Sequence, residues 1–86
     1  MTQEIVFNGW RSVHVGFAND GLAIAGQDVW KSQWRDQHLP NIDLPHPAYP
    51  HQRHQMDIYE IGPLDRPVRF ATGELSNGVW GFYVPA

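Results

Sequence analysis

Residues 68–84 read V-R-F-A-T-G-E-L-S-N-G-V-W-G-F-Y-V, and the fold class follows from how that stretch is read. Val68 and Phe70 fall on one face before Ser76-Asn77-Gly78, and Trp80, Phe82 and Val84 share a face after it. Alternation with period two is the mark of a half-buried strand. Asn-Gly between two such runs supplies the positive-φ residues that a tight hairpin turn requires. A C-terminal β-hairpin is therefore expected.

Working outward, Gly62-Pro63-Leu64-Asp65-Arg66-Pro67 is turn chemistry leading back into Val68. Before it, a strand is expected from Gln52 or His54 to Ile61. Its even face carries His54, Met56, Ile58 and Glu60 and reads as inward; its odd face carries Arg53, Gln55, Asp57 and Tyr59. These strands form a meander. Nearer the N-terminus, Arg11–Ala18 places Val13, Val15 and Phe17 on one face, and Asn19-Asp20-Gly21 leads into Leu22–Gly26 as a second hairpin. Glu4–Phe7 reads as a first strand ended by Asn8-Gly9.

The remaining segments are less regular. Residues 28–36 hold a short helical or irregular stretch, with Asp28 as a cap and Trp30 and Trp34 four apart on one side. Residues 38–51 form a Pro/His-rich loop, because its four prolines remove N–H donors and bias their predecessors toward extended backbone. The expectation is one all-β domain over residues 1–86. It is a small antiparallel meander of about six strands, barrel-like or a strongly twisted sheet.

A chain of 86 residues must build its core from few, large side chains, and eleven aromatics (four Trp, three Tyr, four Phe) serve that need. There is no cysteine, which removes disulfides and thiolate ligands. The net charge of −3 includes no basic stripe, so nucleic acid is not an expected partner. No apolar run approaches the roughly 18 residues of a membrane span, and Glu4 stands where a signal peptide carries a base. A cytoplasmic location without membrane attachment is expected.

Four of the five histidines lie between His38 and His54. One reading makes His46, His51 and His54 ligands for zinc or another divalent metal, since neutral imidazoles suit such ions. Against it, His51 and His54 are three apart and face opposite sides of a continuous strand, so both reach one metal only if the chain bends near Pro50. The plainer reading makes them loop hydrogen-bonders packed on aromatic rings. No serine sits in a nucleophile motif, and Asp57 with Glu60 face opposite ways on their strand, so catalysis is not the first expectation.

These observations together predict a non-catalytic binding module for a small molecule or a protein partner. The ligand would sit at the end of the sheet crossed by the His/Pro-rich loop, against His54, Tyr49, Trp30 and Trp34. Alternatives are a His-liganded metalloprotein or small metalloenzyme, and an assembly protein using its sheet edges, for which a homodimer is the simplest form.

Overall fold

A computed structural model describes residues 4–16, 23–24, 27–28, 30–75 and 77–86. Nine strands are assigned among them: β1 (Val6–Phe7), β2 (Trp10–Gly16), β3 (Ala23–Ile24), β4 (Gln27–Asp28), β5 (Arg35–Asp36), β6 (Ile42–His46), β7 (Tyr49–Ile61), β8 (Val68–Glu74) and β9 (Trp80–Pro85). Seven of them form one open antiparallel sheet in the order β1-β2-β9-β8-β7-β5, with β6 pairing to β7 off that path. The all-β antiparallel meander is thus present, as a twisted sheet that does not close into a barrel. Among the described residues no helix is long and apolar enough to cross a membrane.

The C-terminal hairpin forms as its alternation predicts. Ala71 faces Tyr83, Thr72 faces Phe82 and Glu74 faces Trp80, while Gly78 takes φ +85° in the turn. Strand β7 continues the meander, with Tyr59 opposite Phe70 and Ile61 opposite Val68. At the other end, Asn8 (φ 53°) and Gly9 (φ 84°) make the two-residue turn between β1 and β2. Positive φ at both positions matches the twist that a hairpin demands.

Three expectations are corrected. Among the described residues, strand β2 pairs with β1 and with β9 along Trp10–Gly16, not with Ala23–Ile24, which pairs with Gln27–Asp28. The residues of the expected turn, 19–21, lie outside those described. Alternation identified β2 as a strand but carries no information about its partner. Secondly, the short helical or irregular stretch expected at residues 28–36 is present as a 3₁₀ turn, Lys31–Gln33, closed by Gln33 N–H donating to Trp30 O (2.8 Å), but Asp28 belongs to β4 instead of capping it. Trp30 is half-exposed while Trp34 turns into the core, so the two indoles do not share a helical face. Thirdly, the Pro/His-rich stretch is not all loop, because its middle is β6. Proline is tolerated there since β6 pairs on one side only, with β7.

The sheet buries apolar side chains on both faces. On one, Ile61, Phe70, Phe82 and Val84 pack with Trp34, Tyr59, Val68 and Trp80. On the other, Leu44, Met56, Ile58, Ala71 and Tyr83 pack with Ile5, Phe7, Trp10 and Ile42. The second face is covered by β6 and the first half of β7, which leave the plane of the sheet as a long hairpin. Arg53 of that hairpin sets its guanidinium 4.1 Å above the Phe7 ring.

Candidate functional site

The β6–β7 hairpin determines where each histidine lies. Its register runs Ile42–Met56, Leu44–His54 and Pro45–Arg53, and then jumps to His46–Tyr49. One step on β6, Pro45 to His46, is matched by four on β7, Arg53 to Tyr49. Residues 50–52 therefore bulge. The bulge takes in Pro50, which cannot donate to a ladder, and leaves His51 exposed. The bend expected near Pro50 exists, yet it does not bring His51 inward.

Two of the four loop histidines do meet. The His46 and His54 rings lie edge to face with centroids 5.6 Å apart. His46 is only 1% exposed. Its Nδ1 accepts a hydrogen bond from Ala48 N–H (3.1 Å), which places the proton of the neutral ring on Nε2. Nε2 is buried and has no hydrogen-bond partner among the described residues. Burial, helped by the neighbouring His54, holds this imidazole below its ordinary 6.5, against the opposing influence of backbone groups at Gly73 and Val79.

Glycines let the hairpin tip come this close. Gly73 and Gly81 are direct partners in the β8–β9 ladder. A Cβ on Gly73 would lie 2.5 Å from His54 Cδ2, and one on Gly81 would run into the Pro47 ring. The paired glycines thus form a notch that receives His54 from one strand and the His46–Pro47 turn from the other. Tyr83 fastens the arrangement, its buried hydroxyl donating to Pro45 O at 2.6 Å. Burial also raises the Tyr83 phenol above its usual value.

A cleft of about 290 Å³ opens beside this contact, lined by His54, Gln55, Asp57, Tyr59, Thr72, Gly73, Glu74 and Trp80. Its position has a topological cause. The β7–β8 ladder begins at the Asp57–Thr72 pair, and β7 before that point is committed to β6. The sheet splits there. Gln55, Asp57 and Tyr59 project from one side of the split and Thr72 and Glu74 from the other, with Trp80 opposite Glu74 in the ladder. The Thr72 hydroxyl is spent, donating to Gly81 O at 2.9 Å.

The cleft is electrostatically one-sided. No Lys or Arg lines it, and neither Asp57 nor Glu74 has an ion-pair partner among the described residues. Arg35 is held by Glu60 at 3.3 Å and Arg11 lies 3.8 Å from Glu4. The Tyr59 phenol is pushed up by burial first, then by the negative charges of Asp57 and Asp36.

Of the residues singled out from sequence, His54 alone lines the cleft. Trp34 stands behind it, touching the lining residues Tyr59 and Trp80 at centroid distances of 5.3 and 5.4 Å. Tyr49 is exposed beside the hairpin turn, and Trp30 is half-exposed next to the 3₁₀ turn. As to a metal, no group of three or more His, Cys, Asp or Glu side chains among the described residues is arranged to hold one. The sequence reading weighed Asp57 only as a catalytic pair with Glu60, and gave Glu74, Gln55 and Thr72 no role. The signal in the sequence for this site is that Tyr59 shares the odd face of β7 with Gln55 and Asp57.

Comparison with protein-family models, with curated proteins and with solved structures gives no match to this chain.

Proposed function

We propose that the protein is a non-catalytic binding module that takes a small molecule in the cleft where β7 parts from β8. The observation that supports this reading is the convergence of aromatic, carboxylate, amide and imidazole groups on one concavity of about 290 Å³. Ligand sites combine a shaped hollow with a few placed polar groups, and the volume corresponds to the small end of the roughly 300–1,000 Å³ range of such sites. Binding is favoured over catalysis by how the reactive groups are used. The Thr72 hydroxyl, the aliphatic hydroxyl among the described lining residues, donates to a backbone carbonyl, and the His54 ring packs on His46.

The reading is tested by titrating a library of small polar and aromatic compounds into the ¹⁵N-labelled protein. Binders are expected to move the amide signals of Gln55, Asp57, Thr72, Gly73 and Glu74 together, along with the Trp80 indole N–H. A library without binders, or binders whose shifts map to the β1–β2 end of the sheet, would overturn it.

A further inference from the structure

We propose that the ligand of this cleft is a small organic cation, an alkylammonium or a quaternary ammonium; the inference rests on the binding-module reading and deepens it. Three features of the lining support it. Two carboxylates, Asp57 and Glu74, belong to the cleft, and no Lys or Arg accompanies them among the described residues. Asp57 ends the β7–β8 ladder opposite Thr72, and Glu74 lies two residues beyond Thr72, past the point where the strands part. Both acids line the one cleft, so an ammonium group seated there is attracted by both. The third feature is the wall, to which the Tyr59 and Trp80 rings belong, and aromatic rings attract cations.

Competing ligand chemistries fare worse on the same residues. A neutral polyol would strip water from two carboxylates without supplying a compensating charge. An anion would face both acids unscreened. A hard metal ion wants six or more oxygens, and this lining is largely ring, amide and imidazole, without three side chains arranged as ligands among the described residues. An organic cation uses both the charge and the ring, and the modest volume limits it to a handful of heavy atoms.

The test uses matched probes on the full chain: choline, propylammonium, the neutral choline isostere 3,3-dimethylbutan-1-ol, methyl β-glucoside and calcium. Affinities are read from NMR titration at low and high salt. Choline or propylammonium is expected to bind at Gln55, Asp57, Thr72 and Glu74 at least about tenfold more tightly than the isostere, and more weakly as salt rises. The variant carrying Asp57→Asn and Glu74→Gln, both exposed positions, is expected to fold as the parent does and to lose that preference. Equal or tighter binding of the isostere, or occupation by the glucoside or calcium but neither ammonium, would overturn the cation assignment and leave the binding module standing. If no probe and no library compound shifts the cleft, both readings fall.

Discussion

On one face of the sheet Trp34 is surrounded by Tyr59, Phe70, Trp80 and Phe82 at centroid distances of 5.2–5.8 Å, whereas the other face is closed by a hairpin whose tip rests on two glycines. The first closure is built from ring area. Four of its contacts are edge-on or tilted pairs, which add modestly to the large burial of each ring. The second is built from shape and hydrogen bonds: a glycine notch, a bulge that takes in Pro50, and the Tyr83–Pro45 bond. An aromatic cluster absorbs small displacements because dispersion is spread over many contacts. A notch that admits hydrogen atoms but no methyl group does not.

The largest expected effect lies on the aromatic face. Phe70 is fully buried beneath Trp34, and Phe70→Ala should cost about 3–5 kcal/mol by denaturant unfolding, the combined loss of transfer energy and a cavity. For a chain of this size that approaches the whole of its stability, so a poorly cooperative or unfolded variant is the expected result. A Phe70→Ala protein with the parent's midpoint would mean that Trp34 does not anchor that face.

Next in size is the notch. Gly81→Ala directs a methyl at the rigid Pro47 ring and should cost about 1–3 kcal/mol, as overpacking does. Gly73→Ala should cost less, because the atoms it meets belong to the side chains of half-buried His54 and unbranched Met56, which have χ freedom that the Pro47 ring lacks. The contrast between the two alanine variants sharpens the comparison, and the reverse order would show that the hairpin tip does not rest on β9 through Pro47.

The smallest effect is set by pH. His46 is held neutral in the folded protein below 6.5, whereas the unfolded chain takes up a proton near that value. Between the unfolded and the lower folded pKa the unfolded state binds more protons, so stability is full above about pH 6.5 and is lost as pH falls through that window. Thermal melts should show the parent losing stability relative to His46→Gln as pH drops from 7.5 to 5. Parallel curves for the two proteins would remove His46 from the account. At the alkaline end Tyr59 and Tyr83, one on each face, both titrate above 10 when folded, so stability is expected to decline once pH exceeds that value.

Much of the aromatic face was legible in the chain. Alternation put Val68 with Phe70 on one face before Asn77-Gly78 and Trp80 with Phe82 and Val84 on one face after it, parity along β7 separated Tyr59 from Met56, and the β8–β9 register joined the two sets. The hairpin-covered face was not legible. Prolines in residues 38–51 argue against a strand wherever both edges must pair, and the exception arises because β6 has only one neighbour. Gly73 and Gly81 read as ordinary glycines until the register sets them opposite each other under His54 and Pro47. The cleft was hidden for a related reason, since it exists only because β7 serves two partners and must leave β8 to do so.

What the sequence by itself determined is local: where the longer strands β2, β7, β8 and β9 run, which side chains along each share a face, and where positive-φ turns such as Asn8-Gly9 reverse the chain. Those follow from sterics and period-two alternation acting over a few residues. Only the tertiary structure decided that β2 lies beside β9, that β6 and half of β7 fold across the sheet, and that Asp57, Glu74 and Tyr59 share a cleft. Each of these depends on pairing between segments far apart in the chain. There, the choice is made by which surfaces can be buried against one another.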